Sequence, residues 1–245
     1  MNFRIKNVVK NIANGLFPPR CRGCGASGGY LCDCCKKYIS ENMKARKIET
    51  SAEGFEAQFF GYRDEILGEL IEEAKYESTR GLIAEIAEVV YSGFFKMILD
   101  KGKKNVNCIL VPMPTNRQHV RERAMDHMDM IVREIEQLSG GRIQRVRLLE
   151  RAKDTVQMGA SEAVRKKQAK EAVKLNVNYL TDKKKLAPEF EGTKIYLIDD
   201  VWTTGASLRE AGKILRKCGA NDLTLIAITK SRAKKSPTLR HGEIY

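Results

Sequence analysis

Apolar positions along this chain fall into two spacings. Nearly continuous apolar runs at 106–111, 195–198 and 223–228 suit strands buried on both faces of a parallel sheet. The stretch 54–62 alternates instead, with Phe55, Ala57 and Phe59 on one side, and predicts a further strand. Helical spacing fills the gaps. Ile66, Leu67, Leu70, Ile71 and Ala74 share one face and predict a helix over 63–76. Further helices are expected over 78–99, 117–138 and 207–218, and shorter strands near 146–149 and 173–177. Strands alternating with helices predict the α/β class, with a doubly wound, mainly parallel sheet.

The flanks are patterned differently. Ile5, Val8, Val9, Ile12 and Leu16 lie at helical spacing, while Lys6, Asn7, Lys10, Asn11 and Asn14 break any signal-peptide core. A short amphipathic helix packed on the protein is expected, with docking to a membrane surface as the alternative. Residues 36–53 are charged and weakly patterned, and 152–170 read as a basic loop or frayed helix. The tail, 230–245, carries five Lys/Arg against one Glu and is expected to be exposed.

Composition narrows the class. The 245 residues leave room for one α/β domain and a small appendage. Hydrophobic content of 42% and charged content of 31% describe a globular chain. No apolar run is long enough to span a membrane, so a cytoplasmic location is expected. The net charge of +13 points to a polyanionic partner, nucleic acid or a phosphorylated ligand. A basic solvated surface is the alternative, because the clusters at Arg165-Lys166-Lys167, Lys183-Lys184-Lys185 and the tail form no single stripe.

Five of the seven cysteines lie between Cys21 and Cys35. Cys21 and Cys24 form one Cys-x2-Cys turn and Cys32 and Cys35 another, and two such turns complete a tetrahedron. Four thiolates with no open position predict a structural Zn²⁺ site. Cys34 breaks the spacing and is left out. Cys108 and Cys218 are expected to be buried core residues. The organisation expected is then a helix over 1–20, a zinc-ribbon module and linker over 21–53, the α/β domain over 54–229, and the basic tail over 230–245.

The segment Lys194 to Ser207 carries the chemistry. Its apolar run ends in Asp199 and Asp200, expected at the carboxyl end of the strand, where ligands bind in open α/β sheets. Thr203, Thr204, Gly205, Ala206 and Ser207 follow and open a helix, a unit that can surround an anion with N–H groups. A structural turn with aspartate caps is the alternative.

That order resembles the 5-phosphoribosyl-1-pyrophosphate (PRPP) motif of type I phosphoribosyltransferases. The resemblance implies that Asp199 and Asp200 hold the ribose hydroxyls, and that Thr203 to Ser207 hold the 5′-phosphate. Ser207 stands where the family usually has Thr. The chain further resembles the ComF family, competence-associated phosphoribosyltransferase-like proteins with an N-terminal zinc ribbon. The resemblance rests on Phe17-Pro18-Pro19-Arg20 with the cysteine module, and on Tyr62-Arg63 with Lys75-Tyr76. It continues through Val111-Pro112-Met113-Pro114 with Arg117, Arg121 and Arg123, then Arg151, Thr155, Gln157 and Arg165, then the acid pair. Arg123-Ala124-Met125-Asp126-His127 departs from the family's Arg-Gly-Phe-Asn-Gln, and Gln168 stands where Asn is usual.

The resemblance implies a PRPP-binding protein acting in DNA uptake, with the ribbon and basic surface on single-stranded DNA and with protein partners of uptake. An active phosphoribosyltransferase and a PRPP-sensing regulator are the alternatives. Transfer would displace pyrophosphate, carried with Mg²⁺, from the anomeric carbon. Arg117, Arg121 and Arg123 are the first candidates to meet pyrophosphate, and Arg151 and Lys75 the second. No general acid or base stands out, and His127 is expected on the surface. Tyr30, Phe59, Phe60 and Trp202 are the few candidate stacking platforms for bases.

Overall fold

The computed structural model describes residues 18–48, 54–77, 80–101, 108–115, 126–151, 173–176, 190 and 192–232. In chain order the elements are α1 (Asp33–Asn42), β1 (Arg46–Lys47), β2 (Glu56–Tyr62), α2 (Ile66–Glu77) and α3 (Arg80–Val90). A π-helical turn (Tyr91–Phe95) leads into α4 (Lys96–Lys101), followed by β3 (Cys108–Pro112), α5 (His127–Leu138), β4 (Ile143–Arg145) and β5 (Leu149–Arg151). The remainder is β6 (Val173–Leu175), β7 (Lys194–Trp202), α6 (Ala206–Lys217) and β8 (Leu223–Lys230).

Six strands form one sheet in the order β1-β2-β8-β7-β3-β4. Only the β1–β2 pair is antiparallel; the others are parallel. The apolar runs are the central strands. All of β3, Ile195 to Ile198 of β7, and Leu223 to Thr229 of β8 are buried. A two-residue strand, Arg46–Lys47, closes one edge, short and charged as an edge should be to discourage further pairing.

Helices cover both faces. On one, Leu70, Ile71, Leu82, Ile86, Ile131 and Ile135 from α2, α3 and α5 pack on Tyr196, Ile198, Ile226 and Ile228. On the other, Leu208 and Leu215 of α6 join Leu149 and Val173 of the β5–β6 pair over Ile195, Leu197 and Leu225. The helix after β3 and the helix after β7 therefore lie on opposite faces, although β3 and β7 are neighbours. This is a topological switch point, and the carboxyl ends of these two strands are where an open α/β sheet binds its ligands.

Several expectations change. The helix expected over 78–99 is interrupted by the π-helical turn. The extra residue in that turn directs Phe94 and Phe95 inward, where Phe94 meets Phe60 at 4.6 Å between ring centroids and Phe95 meets Tyr196 at 5.6 Å. The helix expected over 117–138 begins at His127, because Asp126 is extended and caps it by accepting from the Asp129 N–H; 116–125 lie outside the described residues. The weakly patterned 36–53 holds most of α1 and all of β1, and the strand expected at 146–149 falls mainly on the link between β4 and β5, with only Leu149 in a strand. Cys108 is buried as expected, whereas Cys218 caps α6 and is half-buried. The segments 1–17, 152–172 and 233–245 lie outside the described residues.

Phe95 has no exposed surface and anchors the ring cluster under the π-helical turn. Phe95→Ala should lower stability by about 3–5 kcal/mol through lost burial and a cavity, read as a lower urea midpoint. An unchanged midpoint would show that the cluster carries no stability.

Candidate functional site

β7 outruns its neighbour. Pro112, the last residue of β3, pairs with Ile198, and the Met113 N–H donates to the Ile198 carbonyl at 2.8 Å. Beyond that point β7 pairs, among the described residues, with β8 alone, through Asp199 with Ala227 and Val201 with Thr229. The acid pair thus lies within the strand, which continues to Trp202 instead of ending at Ile198, just past the point where β3 stops.

Asp200 is largely buried, and two donors meet the same oxygen. Lys75 Nζ lies 3.0 Å from Asp200 Oδ2, and His127 Nε2 lies 2.9 Å from it. Burial opposes the charge of Asp200, but the His127 hydrogen bond and the Lys75 charge outweigh it and hold the carboxyl down at about 2. An ionised carboxylate only accepts, so the hydrogen on this contact belongs to His127 Nε2. Asp199 behaves oppositely: burial first, then the charge of Asp200, push it up to about 7. The Asp200 N–H donates to Asp199 Oδ1 at 2.9 Å, and the Arg151 charge acts in the opposite sense to burial.

His127 is the residue that sequence reasoning placed wrongly. It is 6% exposed at the start of α5, not on the surface. Its departure from the family's Gln was the available signal. Asp126, beside it, is tied to the Thr115 hydroxyl at 2.9 Å, so the backbone leading into the histidine is anchored. Lys75 engages Asp200 and Glu72. Arg151 Nε donates to the Pro114 carbonyl at 2.9 Å, which ties β5 to the end of the Val-Pro-Met-Pro turn. Arg117, Arg121 and Arg123 lie outside the described residues.

After β7 the chain turns through Thr203, Thr204 and Gly205 into α6. Gly205 has φ 72°, and a Cβ there would lie 2.1 Å from the Trp202 ring, so no other residue fits without moving the indole. Trp202 is buried beneath the turn. Arg209 reaches back from α6 to donate to the Thr204 carbonyl at 2.8 Å, a second residue that sequence reading missed. Thr203, Thr204, Ala206 and Ser207 are exposed, so the positive end of α6 meets solvent beside the acids.

The second centre is the cysteine cluster. The Sγ atoms of Cys21, Cys24, Cys32 and Cys35 all lie within 4.8 Å of one another, and Cys24 and Cys32 are 3.5 Å apart. A tetrahedral zinc thiolate requires sulfurs roughly 3.8 Å apart, given Zn–S bonds of about 2.3 Å, so the four fit the ion. Gly23 is needed here, since a Cβ would approach Cys35 Sγ to 2.6 Å. Burial opposes ionisation of Cys21, but the N–H groups of Cys32, Cys24 and Gly23 outweigh it and bring the thiol down to about 6. Burial and the Cys21 sulfur push Cys35 up, an opposition that a bound cation would relieve. Cys34 is exposed and outside the cluster.

This module is docked on the domain. Arg22, inside the first knuckle, makes a two-pronged pair with Glu73 of α2 at 2.9 and 2.7 Å. The Leu31 N–H donates to Glu85 of α3 at 2.7 Å, and Lys36 reaches Glu88 at 2.8 Å.

No protein-family model and no curated protein matches this sequence. Among solved structures, the chain is similar to an adenine phosphoribosyltransferase, with TM-score 0.37 and 11% identity over 80% of this chain and 89% of that one. It is similar to the Saccharomyces cerevisiae adenine phosphoribosyltransferase complexed with an imino-altritol bisphosphate and adenine, with TM-score 0.34 and 12% identity over 80% and 88%. It is also similar to the Trypanosoma brucei enzyme in complex with AMP, pyrophosphate and ribose-5-phosphate, with TM-score 0.33 and 12% identity over 85% and 86%. The α/β class itself rests on the strand order and the switch point.

Asp199, raised in the folded state, loses stability for the fold as pH climbs from its unfolded value of 3.8 through about 7. Asp200, lowered, contributes stability present above 3.8 and lost as pH falls through about 2. Asp199→Asn should therefore be more stable than wild type at pH 8 and equal to it at pH 4 by thermal melting; a difference of the same size at both would refute the assignment. Cys21→Ser and Cys32→Ser should lose bound zinc in elemental analysis and melt about 5–10 °C lower. Retention of one zinc per chain by both would place the metal elsewhere.

Proposed function

We propose that this chain is a PRPP-binding protein of the phosphoribosyltransferase type, related to the ComF family, acting in DNA uptake. One observation carries the reading: an acid pair at the switch point, followed directly by a Thr-Thr-Gly turn and an exposed helix start. In this reading Asp199 and Asp200 take the ribose hydroxyls. Thr203, Thr204, Gly205, Ala206 and Ser207 take the 5′-phosphate, favoured by the N–H groups and dipole of α6.

Pyrophosphate is the other charged end of the ligand. Lys75 and Arg151 stand near the acids, and Arg117, Arg121 and Arg123 are assigned to this end from the order of the chain. Mg²⁺, bound to pyrophosphate, supplies charge neutralisation there. The acid pair is a poor cage for the ion by itself, since Asp200 Oδ2 is already met by Lys75 and His127. In a transfer reaction the acids would orient the ribose and stabilise positive charge on the ring as pyrophosphate departs.

The ribbon and the basic surface are assigned to single-stranded DNA, with the net charge of +13 as support. Stacking does not support it through the aromatics named from sequence: Tyr30, Phe59, Phe60 and Trp202 are all buried. Phosphate contacts are then the expected mode, and the affinity should fall steeply with salt.

Calorimetric titration of PRPP with Mg²⁺ tests the reading. Wild type should bind, and Asp199→Ala with Asp200→Ala should weaken binding by about a hundredfold, several hydrogen bonds to charged groups being lost. The same variant should keep salt-sensitive binding to single-stranded DNA. Equal PRPP binding by both proteins would refute the site, and turnover with a nucleobase would select the transferase.

A further inference from the structure

Two donors from two helices converge on one carboxylate oxygen. Asp200 Oδ2 receives Lys75 Nζ at 3.0 Å from the last turn of α2 and His127 Nε2 at 2.9 Å from the first residue of α5. Asp199 Oδ1 is taken as well, by the Asp200 N–H at 2.9 Å. Among the described residues, no donor reaches Asp200 Oδ1 or Asp199 Oδ2. One oxygen of each carboxylate is thus left without a donor among those residues.

The two donors are not equivalent. Lys75 has a four-carbon stem and a second carboxylate, Glu72 Oε1, at 3.1 Å, which is itself 3.3 Å from Arg63. An ammonium so placed supplies charge but little direction. The imidazole is rigid and buried. Its backbone starts from Asp126, which is held by both the Thr115 hydroxyl and the Asp129 N–H. A ring anchored there fixes the plane of the Asp200 carboxylate.

We propose that His127, assisted by Lys75, is a positioning residue that pins Oδ2 of Asp200, so that the free Oδ1 is a fixed acceptor for one hydroxyl of a vicinal diol beside Asp199, and the site prefers a ribose 5-phosphate to its 2-deoxy counterpart. The inference rests on the ribose-phosphate reading above and goes beyond it by naming what sets sugar preference. A deoxy sugar leaves one desolvated carboxylate oxygen without a donor, which is the strongest way a pocket rejects a near-isostere. That rejection requires the oxygen to stay where it is. A carboxylate free to rotate would turn the unused oxygen toward water and recover the loss.

The test titrates ribose 5-phosphate and 2-deoxyribose 5-phosphate into the full chain, as wild type, His127→Ala and His127→Gln. Wild type should prefer the ribose form. His127→Ala should lower that preference by about tenfold, mainly by weakening the ribose form, since one charge-assisted hydrogen bond is removed. His127→Gln, whose side-chain N–H can donate to the same oxygen, should restore most of it. Loss of both sugars in equal proportion would make His127 merely structural and overturn the assignment, as would an unchanged preference. Should His127→Ala fail to fold, His127→Leu, which keeps a buried side chain there but removes the donor, carries the same comparison of the two sugars. No ribose 5-phosphate binding by wild type would sink the ribose-phosphate reading and this inference with it, whereas binding with an unmoved preference would sink this inference alone.

Discussion

A carboxylate withdrawn from water must be met by donors or give up its charge, and Asp200 is met by two. Lys75 and His127 reach it from α2 and α5, so both helices must lie on the same face of the sheet, with the end of α2 and the start of α5 at the same height. The apolar stripes of these helices provide the energy that brings them there; the ion pair supplies the register. Burial of Leu70, Ile71, Ile131 and Ile135 would tolerate small slips along the strands. The shared oxygen would not.

The ribbon belongs to the same construction. Arg22 sits within the first cysteine knuckle and holds Glu73, whose neighbour Glu72 accepts from Lys75. Leu31 and Lys36 hold α3 in the same way through Glu85 and Glu88. A module too small for its own core thus gains one from the domain, with Cys21, Tyr30 and Leu31 joining the cluster that packs α2 and α3. In return it braces the helix that carries Lys75.

Adjacent residues of one strand have opposite electrostatics. Asp200 has a lysine and a histidine and keeps its charge; Asp199 has burial and a like-charged neighbour and is driven toward its neutral form. The site therefore carries less negative charge near neutral pH than two aspartates suggest. That is compatible with a phosphorylated ligand, which two full carboxylate charges would repel.

Local chemistry was legible along the chain. The two Cys-x2-Cys turns, the run from Ile195 to Ile198, the acids after it and the Thr-Thr-Gly turn each involve residues a few positions apart, so spacing alone defines them. The alternation of strands and helices likewise determined the α/β class, because burial on both faces demands unbroken apolar runs. The partners of Asp200 were not legible. His127 lies 73 positions before it, and the Arg22–Glu73 clamp spans 51, so only chain crossover brings these groups together. The same holds for the π-helical turn, where Phe94 and Phe95 are drawn to rings from β2 and β7 that helical periodicity cannot foresee. Spacing determined which groups can bind; tertiary packing decided which oxygen of Asp200 is already taken, because hydrogen-bond donors distant in sequence meet only once the sheet is assembled.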